Sequence, residues 1–212
     1  MSVTPSPRPG MLSPYRALDL SDERGLFCSK VLADLGADVI QIEPPGGDQM
    51  RPLPNPFEAA QRGKRNVVLN LKSAEGRALA HELVRNADVV VHNYRPGKAD
   101  KVGLDWATLS AINPRLIYCH LPGYGSSGPR VHQKAFAPLI SGLTGLLYEA
   151  AGAGNKPVAS AEGNEDYYNG LLGAVAALAG LEQRERTGRT HRRVGQDRLP
   201  RVLRQRRVHR ER

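Results

Sequence analysis

The sequence predicts an α/β domain: a Rossmann-like, mostly parallel sheet with flanking helices. Three observations carry that reading. Short β-rich runs alternate with segments of helical period through residues 14–189. One run, Asp88–His92 (DVVVH), is apolar without alternation, as a strand covered on both faces of a parallel sheet must be. Turn residues stand where the runs stop, at Gly36, at Pro44-Pro45-Gly46-Gly47 and at Asn113-Pro114.

The elements follow in order. Met1–Ser13 is rich in Pro and Ser, has no apolar segment, and reads as a disordered lead rather than a signal peptide. Arg16–Leu20 (RALDL) is the first strand. Ser21 or Asp22 can cap the helix predicted over Glu23–Leu35, which Gly36 ends. Asp38–Ile42 (DVIQI) is the second strand, closing at Glu43, and Asn66–Leu71 (NVVLNL) is the third. Ser73, with Gly76 and Arg77, opens a helix through Arg85 whose apolar stripe is Leu79, Leu83 and Val84. After Asp88–His92 come short helices over Pro96–Val102 and Asp105–Ile112, then a strand at Leu116–His120 (LIYCH).

The last element is the most distinctive. In Asn164–Arg186, Leu171, Ala174, Val175, Leu178 and Leu181 recur at helical spacing. The uncharged run Gly170–Leu181 is too short to span a bilayer and reads as a buried core helix. Its first turn presents Glu165 and Asp166, where the helix dipole and free N–H groups favour an ionised acid. Such an acid can simply cap the helix or can do chemistry, and this stretch alone leaves both open.

Composition narrows the function classes. The 212 residues are 40% hydrophobic, enough for one large domain with a real core. Cys28 and Cys119 are far apart, which argues against a disulfide framework or a metal knuckle and suits a reducing cytoplasm. His81, His92 and His120 have no metal-ligand spacing and read as structural; no metal is expected. No stretch is long enough for a transmembrane helix, so no membrane partner is expected. The net charge of +9 invites a nucleic-acid reading, but it is concentrated at one end. Gly188–Arg212 holds ten Arg, two acids and no aromatic, while the preceding 187 residues carry only +1. A bare basic tail with no base-stacking side chain is a poor nucleic-acid module, so no nucleic-acid partner is expected.

Ligands of parallel sheets sit off the carboxyl ends of the strands, here Asp19–Asp22, Glu43–Gly47, His92–Gly97 and Leu121–Gly128. Glu43 suggests the ribose acid of a dinucleotide fold. The first strand–helix junction, Leu20-Ser21-Asp22-Glu23-Arg24-Gly25, lacks the G-x-G-x-x-G turn that lets a backbone approach a pyrophosphate. A nicotinamide cofactor is therefore not the expectation.

Four blocks together amount to a resemblance. They are LADLGADVIQIEPPGGDQMR (32–51), GKRNVVLNLKSAEGR (63–77), ADVVVHNYRPG (87–97) with KVGLDWATLSAINPRLIY (101–118), and GYGSSGP (123–129). In order and spacing, over residues 14–189, the chain resembles the family III CoA-transferases, also called the CaiB/BaiF family. That family includes formyl-CoA transferase and the carnitine CoA-transferases.

The resemblance implies a substrate, coenzyme A as acyl-CoA, with no tightly bound cofactor, and a small carboxylic acid as acceptor. It implies transfer through an active-site aspartate that becomes an aspartyl-CoA thioester. Asp166 falls at that position, with Glu165 and Glu162 as the competing carboxylates. Asn93, Tyr94 and Lys101 match family positions that contact CoA, and Leu69 matches an apolar position beside the adenine. Lys134 stands where a CoA-contacting lysine occurs. Arg95 and Lys98 are nearby basic candidates. The first strand–helix turn departs from the family's Gly-Pro segment, and Arg24 there could itself reach a phosphate. The racemase branch uses a histidine–aspartate pair for proton transfer. His132 lies near that histidine's region, but Gln133 or Lys134 aligns better, leaving racemisation as an alternative beside a non-catalytic CoA-binding fragment.

The resemblance stops after Thr187-Gly188-Arg189. Family sequences continue with a strand of the type Gly-x-x-Val-Glu-Ser and a second domain. Residues 190–212 are Arg-rich without apolar period, and the expectation is a disordered, out-of-frame tail that cannot supply that strand. A chain truncated in this way would be impaired, and the family's interlocked homodimer is in doubt.

Overall fold

Alternation within each strand decides which side chains face which layer. The computed structural model describes residues 10–158, 165–190 and the backbone of 192–194. Strands β1 (Arg16–Asp19), β2 (Asp38–Glu43), β3 (Lys64–Val68), β4 (Val89–His92), β5 (Ile117–His120) and β6 (Arg192–Val194) form one sheet. Their order is β3-β2-β1-β4-β5-β6. All five pairings are parallel.

Because successive side chains point to opposite faces, the sheet feeds two cores. Ala17, Val39, Val89, Val91, Ile117 and Cys119 pack under helices α1 (Leu26–Asp34) and α8 (Glu165–Thr187). Leu18, Ile40, Val90 and Tyr118 face α3 (Ala74–Arg85) and α5 (Trp106–Ile112). Four further helices are α2 (Pro54–Gln61), α4 (Lys98–Lys101), α6 (Ala137–Thr144) and α7 (Leu146–Ala151).

Several sequence expectations are corrected. Helix α1 starts three residues later than expected, after Gly25, with no side-chain cap. Asp22 does not cap it because Arg24 and Asn93 occupy its carboxylate. Strand β3 starts at Lys64 and ends at Val68, because the Lys64 side chain is buried against Asp19 rather than solvated. Ser73 does cap α3, accepting from Gly76 N at 3.0 Å. Its buried face, however, is Gly76, Ala80 and Val84, and Leu79 is exposed. The lead expected over residues 1–13 is packed at its end, where Leu12 is buried in the core and its N–H donates to Leu35 O at 2.9 Å. Met1–Pro9 lie outside the described residues.

Helix α8 is also not buried all round. Leu171 and Val175, expected in its core stripe, are exposed, while Gly170, Gly173, Ala174, Ala177, Gly180 and Leu181 form the buried face. Small residues win there because they let α8 lie close against α1 and β5. A Cβ on Gly170 would stand 2.7 Å from Phe27 Cβ and 3.0 Å from Cys28 N. Gly170→Val is therefore expected to lower stability by about 1–3 kcal/mol. The effect should be read as a reduced urea midpoint at unchanged slope.

The tail expectation is corrected as well. Arg192–Val194 pair with Tyr118–His120 as a parallel edge strand. Backbone pairing at a sheet edge needs no apolar period, which is why the reading from periodicity missed it. Residues 195–212 lie outside the described residues, so the rest of that expectation is not addressed by the structure.

Candidate active site

In a sheet of this order the crevice opens where neighbouring strands send their connections to opposite sides, between β1 and β4. The turn after β1 is built from buried polar groups. Asp19 accepts from Ser21 N at 2.8 Å, from the Ser21 and Ser29 hydroxyls, and from Lys64 Nζ at 3.2 Å. This anchors Ser21–Gly25 over the strand end. Across the crevice, Asn93 Nδ2 donates to Asp22 Oδ1, and Asp22 N donates back to Asn93 Oδ1 at 3.3 Å. Arg24 pairs with the same carboxylate, Nε donating to Oδ1 at 3.0 Å. Its Nη1 donates to Ala135 O at 3.2 Å, and its guanidinium lies over the Phe136 ring at 5.3 Å.

Helix α8 enters from the other side. Asn169 Nδ2 donates to Arg24 O at 3.4 Å and to Leu121 O at 3.2 Å, tying α8 to the loops after β1 and β5. One turn earlier, Asp166 lines a cavity of about 60 Å³ with Arg24, Arg95, Gln133, Phe136 and Glu165. The loop over it runs close: a Cβ on Gly123 would stand 2.0 Å from Ala135 Cβ. Glu165 accepts from Ser141 Oγ on α6, and its other oxygen is buried with no hydrogen-bond partner among the described residues.

The electrostatics revise one expectation. Asp166 was expected to be held ionised by the helix terminus, but its pKa is pushed up to about 6. Burial is the largest cause, and Glu23, Asp22 and Glu165 add to it while Arg24 opposes it. Asp22 goes the other way. Burial would raise it, but the bonds from Arg24 and Asn93 outweigh that and hold it below the usual carboxylate range.

A second cavity of about 330 Å³ lies beside the first, with Arg95 and Pro96 in both walls. His92 and His120 stack there at 4.5 Å, and Tyr94, Trp106 and Tyr118 complete an aromatic lining. Burial, with Asp19 and Asp22 adding to it, pushes the Tyr94 phenol up to about 12, so it stays protonated. Lys98 Nζ sits 3.9 Å from the Tyr94 ring centre, and its pKa is lowered by burial and by Arg24 and Arg95. His81 is tied to Gly103 O at 2.7 Å and lines neither cavity.

Thus Asp166 and Arg24 share one cavity, Tyr94 lines the other, and Asn93 braces the crevice through Asp22. Lys101 is exposed at the end of α4 and lines neither cavity. Leu69 is buried in the core beyond β3, with its N–H on Glu43 O at 3.0 Å. Lys134 is exposed between Gln133 and Ala135, which do line the Asp166 cavity. Glu162 lies outside the described residues. Sequence reasoning missed Asn169 as a site residue, although its place one turn after Asp166 puts both on one helix face.

Comparison with known proteins agrees with this fold. The sequence pattern of "CoA-transferase family III" matches residues 13–193. The chain is 39% identical over 173 residues to the succinyl-CoA–L-malate CoA-transferase beta subunit of Chloroflexus aurantiacus, covering 77% of this chain and 43% of the relative. It is 36% identical over 199 residues to the acetyl-CoA:oxalate CoA-transferase of Acetobacter aceti, covering 88% and 51%. A crystal structure of a CaiB/BaiF family protein from Brucella suis superposes with a TM-score of 0.83 at 33% identity, over 87% of this chain and 52% of that one. The chain spans about half the length of these relatives. It belongs to CoA-transferase family III.

Proposed function

We propose that the chain carries the CoA-transfer site of its family, with Asp166 as the nucleophile. The observation that supports this is the position of Asp166. It is a half-buried carboxylate at a helix start, facing a small cavity at the carboxyl-end crevice, with Arg24 and Arg95 in the same wall. An acyl-CoA is the donor and a small carboxylic acid the acceptor. The succinate, malate and oxalate in the names of the relatives point to short acids.

The carboxylate of Asp166 attacks the thioester carbonyl, forming a C–O bond as the C–S bond breaks and CoA leaves as thiolate. The thiolate attacks the Asp166 carbonyl of the resulting anhydride, releasing the donor acid and leaving aspartyl-CoA. The acceptor carboxylate attacks that thioester, and the thiolate then attacks the acceptor carbonyl, returning Asp166 as carboxylate. No net proton is transferred, so the site needs an ionised Asp166 and close placement rather than an acid–base pair.

Asn93, Tyr94, Lys101, Leu69 and Lys134 are the proposed CoA contacts, with Tyr94 flanking the aromatic cavity. Racemisation is the weaker reading. It uses a histidine–aspartate pair, and His132 lines neither cavity while Gln133 stands in the Asp166 wall. Incubation with succinyl-CoA tests the proposal. One CoA per chain, seen by intact mass and removed by added acid acceptor, is the expected result. A chain that binds CoA yet gains no covalent mass overturns it.

A further inference from the structure

Arg24 is committed in a way that its sequence position does not suggest. Its Nε and Nη2 both go to Asp22, Nη1 goes to Ala135 O at 3.2 Å, and its plane covers Phe136. Its own carbonyl accepts from Asn169 at 3.4 Å. Asp22 is in turn tied to Asn93. Four segments therefore meet at the Asp22–Arg24 pair: the turn after β1, the loop after β4, the segment leading into α6, and α8. An arginine waiting for a phosphate keeps a fork of parallel N–H bonds open, and here a carboxylate already fills the fork.

We propose that Arg24 is a positioning residue for the Asp166 site, latching Gln133–Phe136 and the start of α8 onto the turn after β1, rather than a contact for a CoA phosphate. The inference rests on the reading of Asp166 as nucleophile. Among the described residues, the charges facing Asp166 include Asp22 and Glu23 from the turn, Glu165 from its own helix, and the cations Arg24 and Arg95. Of these, Arg24 is the cation that draws Asp166 toward ionisation. Removing it frees Asp22 as well, so both changes disfavour the carboxylate.

The test compares wild type with Arg24→Met and Arg24→Lys in the full chain. The readouts are the Asp166 titration by carbon NMR, hydrogen exchange over Gln133–Ile140, and CoA affinity at two salt concentrations. Arg24→Met should shift the Asp166 titration upward from about 6. It should also speed exchange in that segment while changing CoA affinity by less than about twofold. Arg24→Lys should restore the titration but not the slow exchange, because an ammonium cannot bridge Asp22 and Ala135 O as a fork does. The opposite pattern overturns the proposal: titration and exchange unmoved, with CoA affinity down about tenfold and its salt dependence reduced. If Arg24→Met does not fold, slow exchange in Arg24→Lys overturns it and fast exchange supports it. Covalent capture of CoA by wild type reports separately on the nucleophile, so either reading can fail alone.

Discussion

Asp166→Asn is expected to abolish covalent capture of CoA from an acyl-CoA while leaving the CoA-binding surface in place. The amide cannot form the anhydride, and the neighbouring Glu165 is held by Ser141 on α6 through one of its oxygens. The loss should exceed about a thousandfold, as for removal of a nucleophile elsewhere. Wild-type capture should rise with pH through about 6 and level off above it, because the reactive form is the carboxylate. The same shift has a stability consequence whose sign is opposite to that of a salt-bridged acid. A carboxyl whose folded pKa stands above its unfolded value favours the fold most when protonated, and ionisation through about 6 weakens the fold. Asp166→Asn should therefore raise the melting temperature at pH 8 and leave it nearly unchanged at pH 4, measured by calorimetry. Such a variant would be a more stable, inert protein, as expected where a strained charge serves chemistry.

Lys64→Met is expected to produce the largest loss of stability. Lys64 Nζ lies 3.2 Å from Asp19 Oδ2, both side chains fully buried, and also donates to Leu26 O at 3.0 Å. Removing one partner of such a pair leaves a buried carboxylate without its counter-charge, at a cost of about 3–5 kcal/mol. The Ser21 and Ser29 hydroxyls and Ser21 N still bind Asp19, which favours the lower end. Arg65→Ala is the control. Arg65 pairs with Asp38 at 2.6 Å on the surface, with 64% of its side chain exposed, and should cost less than about 1 kcal/mol. Urea denaturation of the two variants side by side separates a buried pair from a solvated one. Because Asp19 shapes the turn that carries Asp22 and Arg24, Lys64→Met should also loosen the site before global unfolding, seen as faster exchange at Asp22–Gly25.

The sheet was legible in sequence because its strands are short apolar runs with turn signals at both ends, as at Asp38–Glu43 and Val89–His92. What failed was reading polar or small residues. Lys64 was left outside the third strand, since nothing nearby in sequence shows that Asp19, 45 residues away, receives it in the core. The buried faces of α3 and α8 are glycine and alanine, and a period search weighted toward Leu and Val picks the flanks instead. Helices α2 and α6 were not expected, and prolines stand in the first turn of each, where proline fits a helix. At the candidate site, Asp166 was singled out from the helix start and the family motif. The network around Arg24 was not, because its partners Asn169 and Ala135 lie 145 and 111 residues away, and hydrogen bonds at such separations leave no local pattern.

The central claim is that one carboxylate, Asp166, carries the CoA. Its most direct test is to incubate the chain with acyl-CoA, quench with hydroxylamine, and sequence the labelled peptide by tandem mass spectrometry. An aspartyl-CoA thioester becomes a hydroxamate at the residue that carried it. A single hydroxamate at Asp166 is the predicted result. Label at Glu165 or Glu162 with Asp166 unmodified would contradict the assignment.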